Sequence, residues 1–406
     1  SPMQRLVQGD VGSGKTVVAA AALYKAAKNG CQGVMMAPTE LLAAQHLKTF
    51  QELYEGTGIR LGFLTSALRK KEREETLRDL AEGKIDVLIG THAVIQDAVE
   101  FRNLALVITD EQHRFGVDQR KKLAAKGRNP DILVMTATPI PRTLAVILFG
   151  DLDISAIDEL PPGRKAVETK AVTARQRKKV YEFAGRQIEE GRQVYVVAPL
   201  IEDSETVDAS SAVALYHELQ GVFPGRNVAL VHGGMRQEEK ERVMQAFAEG
   251  AVDLLAATVV IEVGINVPNA TVMIIENSER FGLAQLHQLR GRVGRGEHPS
   301  YCFLITDSKA ELGRRRAKII ESSSDGFAIA EKDLQMRGPG EFFGTKQHGL
   351  PELTVADLVR HLPILNGLRE DVKEILQRDP RLRLPENRLI AEGVARMFRG
   401  VGGIGL

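Results

Sequence analysis

The segment GDVGSGKT at residues 9–16 constrains the fold of this chain more than any other feature. It follows an apolar run and precedes a long alanine-rich stretch, which is the strand, loop and helix order of a phosphate-binding P-loop. The glycines allow backbone N–H groups to surround phosphate oxygens, and the helix that follows turns its positive end towards the same anion. The sequence therefore predicts an α/β domain that binds a nucleoside triphosphate, since a chance glycine-rich turn would not combine these elements.

Residues of this loop have predicted roles in the phosphate site. Lys15 offers a mobile cation to the terminal phosphates, and the hydroxyl of Thr16 is suited to binding Mg²⁺. The other loop residues of the predicted nucleotide site are Gly9, Gly12, Ser13 and Gly14. A nucleoside triphosphate and Mg²⁺ are accordingly the expected cofactors.

The length and charge of the chain limit its organisation and its partners. A chain of 406 residues normally forms two or three domains, each large enough to bury its own core. The formal net charge is only +1, so any nucleic-acid site must be a local groove, because the surface as a whole is not basic.

The cysteine, histidine and hydropathy patterns argue against a zinc protein, a membrane-spanning protein and a secreted protein. Cys31 and Cys302 stand in apolar, strand-like settings in different halves of the chain and are expected to be buried free thiols. The nine histidines are scattered and no CxxC pair occurs, so a zinc site has little support. The sequence has no run of 18 apolar residues and no signal-type start, which predicts a soluble, cytoplasmic protein.

Short β-branched runs recur between amphipathic stretches, a pattern typical of a parallel sheet covered by helices on both faces. The predicted strands of a first lobe are residues 5–8, 33–37, 60–64, 86–89, 104–109 and 132–136. A Pro-Pro-Gly break at 161–163, preceded by an acidic segment at 151–159, predicts a hinge. The predicted strands of a second lobe are residues 193–198, 227–231, 253–257, 271–275 and 301–305.

We therefore predict four parts. Residues 1–158 and 159–318 form two α/β lobes, each a mostly parallel sheet flanked by helices. Beyond about residue 308 the sequence is charged and helical, which predicts a small helical appendage with one part at 319–360 and another, ending in a flexible, glycine-rich tail, at 361–406.

The first lobe carries a second chemical element in LVITDEQH, residues 106–113. An apolar strand delivers Asp110 and Glu111 at its carboxyl end, where ligands bind in an open α/β sheet. Asp110 is expected to hold Mg²⁺ through water and Glu111 to polarise the attacking water, as phosphoryl transfer requires. The alternative is a solvated acidic pair that coincides with the P-loop by accident.

Three arginines separated by glycines stand in the second lobe, in QLHQLRGRVGRG at residues 285–296. A guanidinium group is planar, permanently charged and able to bond two phosphate oxygens at once. We expect Gln288, Arg292 and Arg295 to complete the nucleotide site when the lobes close. The alternative is a basic, solvent-facing helix.

These motifs resemble those of a known class of motor proteins. GDVGSGKT, TDEQH, the TAT triplet at 136–138 and QLRGRVGRG are similar to the P-loop, DExH, TAT and arginine motifs of superfamily 2 helicases and translocases. Residues 136–145, 151–164 and 278–296 resemble the RecG family of bacterial fork-remodelling motors. Residues 325–349 resemble the translocation motif that the RecG and Mfd families share.

The resemblance implies two tandem RecA-like P-loop lobes that hydrolyse ATP and step along duplex or branched DNA as a monomer, with no membrane partner. It assigns Gly264 to the nucleotide site. Residues that it places on the DNA face or in coupling are Pro38, Thr39, Gly90, Thr91, His92, Thr138, Gly233, Gly234 and Thr258. Spacing alone would assign most of these segments to ordinary turns.

In the translocation motif the residues that match the family pattern are Gln335, Arg337, Gly338, Gly340, Glu341, Gly344 and Gln347. The resemblance implies that they belong to a helical hairpin that couples lobe motion to DNA movement. Composition alone would allow a glycine-rich surface loop.

The sequence departs from the family pattern at two positions and in its extent. Val259 follows Thr258 where relatives usually have a second threonine, and Asn266 stands where many have aspartate. Few residues precede the first strand, whereas RecG-like proteins carry an upstream adenine-contacting segment and a DNA-binding wedge domain. We therefore expect a motor module from a longer protein.

Two other functions fit the sequence less well. An Mfd-like translocase module that acts on stalled RNA polymerase fits less well, because residues 110–113 and 151–164 match RecG better. A nucleotide-dependent switch that binds nucleic acid without sustained turnover is disfavoured by the intact Glu111 and arginine set.

Overall fold

A computed structural model of the chain describes residues 2–110, 117–137, 152–159, 165–199, 205–258, 267–307, 311–343 and 362–397, in parts of some helices by the backbone alone. Within these ranges two parallel sheets follow one another along the chain. The two predicted α/β lobes are confirmed, and residues 311–343 and 362–397 are largely helical, as expected.

The first lobe is built on a seven-stranded sheet with the order β3-β4-β2-β5-β6-β1-β7, in which all strand pairs are parallel. The strands are β1 (Gln4–Gly9), β2 (Gln32–Met36), β3 (Leu61–Leu64), β4 (Val87–Gly90), β5 (Leu104–Thr109), β6 (Asp131–Thr136) and β7 (Asp153–Ile157). The helices are α1 (Lys15–Lys28), α2 (Glu40–Leu53), α3 (Lys70–Ala81) and α4 (Val117–Ala124). Because the strands are parallel, the segments that follow β1 and β5 meet at one edge of the sheet.

Both faces of this sheet are buried, which explains why its central strands are almost continuously apolar. Alternate residues of β2 point to opposite faces. Met35 packs in the same cluster as Leu23 of α1, whereas Val34 and Met36 pack with Leu88 in the cluster on the other side. Burial on both faces rigidifies the strands whose ends carry the predicted site residues.

The second lobe is a six-stranded sheet with the order β10-β11-β9-β12-β13-β8, again with parallel pairs. Its strands are β8 (Glu168–Val172), β9 (Gln193–Val197), β10 (Val228–Val231), β11 (Leu254–Ala257), β12 (Ala270–Ile275) and β13 (Tyr301–Ile305). Its helices are α5 (Arg177–Glu189), α6 (Glu205–Val222), α7 (Gln237–Ala248) and α8 (Leu283–Arg290). The central strand β9 buries Tyr195 and Val197 on one face and Val194 and Val196 on the other.

The carboxyl-terminal helices are α9 (Glu311–Ser322), α10 (Gly326–Phe343), α11 (Leu362–Arg378) and α12 (Arg388–Met397). Ile320 of α9 and Ile329 of α10 pack into the core of the second lobe. The domain boundary that we placed between residues 318 and 319 falls inside α9, so one continuous helix crosses it.

Two strands, β7 and β8, were not predicted from the sequence. β7 lies within the acidic segment that precedes the predicted hinge, and it pairs with β1 at an edge of the first sheet. β8 is an edge strand of the second sheet. Edge strands remain partly exposed and carry polar residues such as Asp153, Glu168 and Lys170, so they lack the apolar runs that reveal buried strands.

One of the two cysteines is less buried than predicted. Both are free thiols, and Cys302 is fully buried in β13, where burial raises its pKa to about 12. Cys31 is only partly buried, because it follows the turn at Gly30, whose φ is 73°. No helix in the described ranges is long and apolar enough to cross a membrane.

Candidate nucleotide site between two lobes

The loop between β1 and α1 has the backbone geometry of a phosphate-binding loop. Gly12 and Gly14 adopt φ values of 76° and 93°, in the left-handed region that strains other residues. A Cβ at Gly9 would lie 2.4 Å from Oγ of Ser13, so the loop leaves no space for a side chain there. α1 begins at Lys15, and its first N–H groups have no acceptor within the helix. They are therefore available to an anion in the loop.

The side chain of Lys15 lies against this loop and is almost fully buried. Its Nζ donates hydrogen bonds to the carbonyl oxygens of Gly9, at 2.9 Å, and of Asp10, at 2.8 Å. Phosphate oxygens would offer stronger, charged acceptors to the same ammonium group. Oγ of Ser13 is buried and has no hydrogen-bond partner within the described part of the chain. The donors and the backbone geometry together fit a polyphosphate.

Asp110 directly follows β5, at the same sheet edge as the loop. Its Oδ2 accepts a hydrogen bond of 2.9 Å from Nε2 of His46, on α2. His46 is only 4% exposed, so packing holds the imidazole and thereby the carboxylate in one orientation. Sequence reasoning missed His46, because it stands 64 positions before Asp110 and belongs to none of the motifs to which we assigned a catalytic role.

The oxygen atoms available near the loop suit Mg²⁺. Thr16, in the first turn of α1, has a hydroxyl and Asp110 has a carboxylate, and hard cations prefer both ligand types. Across the described ranges, no group of three or more His, Cys, Asp or Glu side chains could enclose a metal ion. This donor set fits a cation that keeps several waters and binds together with phosphates.

The arginine motif is α8 and the turn that follows it. Arg292 is 5% exposed, Gln288 and Arg295 are partly buried, and Nε of Arg295 donates to the carbonyl oxygen of Gly291 at 3.1 Å. Burial raises the pKa of Tyr195 to about 12, while the charges of Arg292 and Arg295 act in the opposite direction. The motif is seated on the core of the second lobe and is not a solvent-facing basic helix.

The arginine motif and the phosphate loop meet where the two lobes touch. A Cβ on Gly291 would lie 3.0 Å from Cβ of Val11 in the loop, so the two backbones approach closely. Nε2 of His287 lies 2.7 Å from Oδ1 of Asp10. Both residues lie within motifs recognised in the sequence, but no role was predicted for either. A contact across 277 positions leaves no local pattern that could reveal it.

The residues predicted to face DNA follow the carboxyl ends of parallel strands. In the described part of the chain these are Pro38 and Thr39 after β2, Gly90 to His92 at the end of β4, Gly233 and Gly234 after β10, and Thr258 after β11. His92 and Gly234 are exposed. Thr39 caps α2, since its Oγ1 accepts a hydrogen bond of 3.3 Å from the N–H of Leu42.

Space and burial restrict two of these positions. A Cβ on Gly90 would lie 2.1 Å from the carbonyl oxygen of Leu64, so no side chain fits there. Thr258 is fully buried, and its hydroxyl has no hydrogen-bond partner in the described ranges. A direct DNA contact by this hydroxyl would require it to become uncovered.

Several predicted residues fall outside the described part of the chain, namely Glu111, Thr138, Val259, Gly264, Asn266, Gly344 and Gln347. Helix α10 carries the first part of the translocation motif and packs against α8. Gln335 is exposed on this helix, while Arg337 and Glu341 are described by their backbone only. The helix that bears the arginine motif is thus in contact with the predicted coupling element.

Three family models match successive parts of the chain. Residues 2–147 match the DEAD/DEAH box helicase model, and residues 175–297 match the helicase conserved C-terminal domain. Residues 323–399 match the model described as ATP-dependent DNA helicase RecG, domain 3, C-terminal. The first two models each cover most of one lobe, and the third begins near the start of α10.

Curated relatives are similar over almost the whole chain. ATP-dependent DNA helicase RecG of Bacillus subtilis is 52% identical over 385 residues, which are 95% of this chain and 56% of the relative. The protein of the same name from Thermotoga maritima is 53% identical over 375 residues, which are 92% of this chain and 48% of the relative. The chain thus spans about half the length of the curated relatives that it matches.

Solved structures are similar to this chain in fold. A structure of RecG bound to a three-way DNA junction is 49% identical, has a TM-score of 0.76, and aligns over 90% of this chain and 48% of its own. Saccharomyces cerevisiae Dbp5, bound to RNA and ADP BeF3, is 17% identical with a TM-score of 0.58, over 81% of this chain and 84% of its own. The second similarity concerns the fold alone.

Proposed function

We propose, because this chain belongs to the RecG family of ATP-dependent DNA helicases, that its two lobes form a motor that hydrolyses ATP and moves along double-stranded DNA. The chain matches only about half of each relative, so this proposal concerns the motor module of a longer protein. In that protein the motor would remodel stalled replication forks and branched recombination intermediates.

The observation that carries the proposal is the close approach of the arginine motif to the phosphate loop. Gly291 abuts Val11 across the lobe boundary, so the residues that follow α8 lie beside the loop. A site divided between two lobes can respond to the nucleotide by closing and opening, which is the motion a stepping motor needs. A one-lobed nucleotide switch would not require arginines from a second lobe.

The proposed reaction is in-line attack of water on the γ-phosphate of ATP. Lys15 and the loop N–H groups would neutralise phosphate charge, and Glu111 would orient and polarise the water. Thr16 and Asp110 would hold Mg²⁺, mostly through water, and the ion would supply positive charge that stabilises the charge developing on the phosphates. From the second lobe, Gln288, Arg292 and Arg295 would complete the site, where planar guanidinium groups can bond two oxygens of the transferred group.

The proposed DNA path runs over the carboxyl edges of both sheets. Small residues and backbone N–H groups at strand ends can hold phosphates without reading bases. The formal charge of +1 is consistent with a local groove. A motor that moves along chromosomal DNA would be found at the bacterial nucleoid, in the cytoplasm. We expect it to act as a monomer. An upstream wedge domain of the full-length protein would supply junction recognition.

The experiment that tests the function is phosphate release with ATP and Mg²⁺, in the presence of linear duplex, single-stranded or forked DNA. We expect duplex and forked DNA to stimulate turnover of the full-length protein more than single-stranded DNA. Turnover that is insensitive to every DNA would contradict a motor and would favour a nucleotide switch. The same assay on this chain alone measures how much stimulation the motor module retains.

Replacing Arg337 by alanine is expected to uncouple hydrolysis from movement. The substitution lies on α10, outside both sheets, and leaves Lys15, Glu111 and Arg295 intact. DNA-stimulated ATP hydrolysis by the full-length protein should persist, while displacement of a triplex-forming strand should fall by about tenfold or more, as expected when one conformational link is lost. The two rates are measured side by side.

The matched control for this prediction is Lys332→Ala, an exposed residue of the same helix that lies outside the family pattern. It should leave both rates unchanged. A proportional loss of hydrolysis and movement in Arg337→Ala would show that the segment belongs to the catalytic or DNA-binding site and does not act in transmission.

A further inference from the structure

We propose that His287 and Asp10 are a pair of positioning residues that hold the second lobe in register on the phosphate loop, a role that rests on the ATPase function proposed above. Nε2 of His287, on α8, lies 2.7 Å from Oδ1 of Asp10, in the loop after β1. The two side chains are only 4% and 18% exposed. A hydrogen bond so well shielded from water joins the lobes more strongly than a surface contact would.

Arg290 determines which nitrogen of His287 carries the proton. A terminal nitrogen of the Arg290 guanidinium lies 2.8 Å from Nδ1 of His287. A guanidinium group only donates, so Nδ1 must accept and the ring carries its hydrogen on Nε2. The hydrogen-bond partners thus determine the tautomer, in which the N–H at Nε2 donates to the carboxylate of Asp10.

Arg290 is itself held by the main chain. Its other terminal nitrogen donates to the carbonyl oxygens of Ile320, at 2.6 Å, and Ser323, at 2.7 Å, where α9 ends. Arg290 is 5% exposed. Arg290 of the second lobe therefore fixes the imidazole of His287 through Nδ1, and the N–H at Nε2 is directed at the first lobe.

Asp10 is equally well supported on its own side. Its Oδ1 also accepts from the N–H of Val11, at 2.7 Å, and its carbonyl oxygen accepts from Nζ of Lys15, at 2.8 Å. The residue that His287 holds is thus the one whose main chain binds the phosphate-seeking lysine. When a phosphate binds the Lys15 ammonium group, the hydrogen bond from Nζ to the carbonyl oxygen of Asp10 changes. The hydrogen bond between Asp10 and His287 would transmit that change to the second lobe.

The pair matters for chemistry because the proposed catalytic arginines, Arg292 and Arg295, lie in the turn that follows Arg290. Arg292 and Arg295 can meet transition-state charge only if the turn after α8 has a fixed distance from the loop. A misplacement of about 1 Å can reduce a rate about 10²-fold. His287 and Asp10 would touch no reacting atom, and they act by fixing that distance.

Four substitutions separate positioning from simple packing. His287→Asn retains an acceptor near the Nδ1 position for Arg290 but loses the donor that reaches Asp10, whereas His287→Gln places an amide N–H near the Nε2 position. Asp10→Ala removes the acceptor, and Asp10→Asn keeps a carbonyl oxygen at the same place. His217→Asn, on the exposed face of α6, is the matched control.

We expect His287→Asn and Asp10→Ala each to lower kcat of the DNA-stimulated ATPase about tenfold, since hydrogen bonds to charged groups commonly contribute that much. The Kd of fluorescent ADP should change less than about twofold for the His287 variants, because the proposed loop contacts to phosphate belong to the first lobe. The double variant should resemble either single variant, as expected for residues that act as a unit. His287→Gln and Asp10→Asn should retain most of the activity.

A second readout requires no turnover. Spin labels on Glu55→Cys and Glu249→Cys, both exposed, report the distance between the lobes in a Cys31→Ser background that retains the buried Cys302. With Mg²⁺ and a non-hydrolysable ATP analogue, pulsed electron paramagnetic resonance should give a narrow distance distribution for the otherwise unsubstituted chain, for His287→Gln and for His217→Asn. Asp10→Ala and His287→Asn should broaden it.

Two results would overturn the positioning pair. One is a distance distribution in His287→Asn as narrow as that of the unsubstituted chain. The other is a double variant whose losses multiply to about 100-fold, since independent structural defects add in free energy. A wild-type protein without DNA-stimulated turnover would instead refute the proposed function, and the distance distributions would still decide whether the pair holds the lobes.

Discussion

Lys15→Ala is expected to lower ATP turnover about 10²- to 10³-fold or more and to leave the fold intact. The ammonium group is the mobile cation of the loop, and removal of a single charge-stabilising donor from a preorganised site typically costs that much in kcat. The fold should survive because the described hydrogen bonds of Nζ are to carbonyl oxygens of the loop itself, those of Gly9 and Asp10. Steady-state phosphate release and thermal unfolding, measured on the same preparation, check both parts.

Lys25→Ala is the matched control for this substitution. Lys25 is exposed at the far end of α1, so its loss removes the same charge from the same helix without touching the loop. It should leave turnover unchanged. Normal turnover in Lys15→Ala would exclude this loop as the catalytic phosphate site.

Glu111→Gln should abolish turnover by a different route. Loss of the Lys15 ammonium group removes a direct phosphate contact and should weaken ATP binding, whereas loss of the Glu111 charge should leave ATP bound but poorly hydrolysed. Binding of a fluorescent ATP analogue distinguishes the two variants. Near-normal turnover in Glu111→Gln would show that another residue orients the water.

Arg295→Lys and Arg292→Lys are expected to reduce DNA-stimulated turnover about 10³- to 10⁵-fold, the range known for arginine fingers. Lysine should not rescue either position, because an ammonium group cannot reproduce the planar, two-point contact of a guanidinium group. Nucleotide binding by the first lobe should persist, so the loss should appear mainly in kcat. Single-turnover hydrolysis measured beside nucleotide affinity separates the two quantities.

Arg242→Lys is the matched control, because Arg242 lies on the exposed face of α7. It tests whether any arginine-to-lysine substitution in the second lobe lowers turnover. Its turnover should equal that of the wild type. If Arg295→Lys is also as active as the wild type, Arg295 does not stabilise the transition state. Because Arg292 is 5% exposed, its variant also needs an unfolding measurement to show that the lobe remains folded.

How far the sequence predicts the fold depends on whether a strand is buried. Strands such as β2 and β9 pack on both faces and therefore have continuous apolar runs, which local pattern detects. The edge strands β7 and β8 were missed, since one side of each is exposed and a polar residue there costs little. β7 in particular looks like an acidic linker until its backbone pairs with β1.

The cysteines illustrate a related limit. Both Cys31 and Cys302 are flanked by residues that favour strands, and only Cys302 lies inside one. The left-handed turn at Gly30 ends the preceding segment and leaves Cys31 partly exposed before β2 begins. A local pattern cannot distinguish a residue at the start of a strand from one inside it when the burial is set by distant segments.

The sequence by itself determined the two lobes, the loop that needs glycine at positive φ, and the motifs that carry the proposed chemistry. It could do so because backbone conformation and strand burial impose residue types at short, regular spacing. The tertiary structure alone decided that His46 holds Asp110 and that His287 meets Asp10 across the lobe boundary. Those contacts join residues 64 and 277 positions apart, and only the packing of whole elements brings such distant side chains within hydrogen-bond distance.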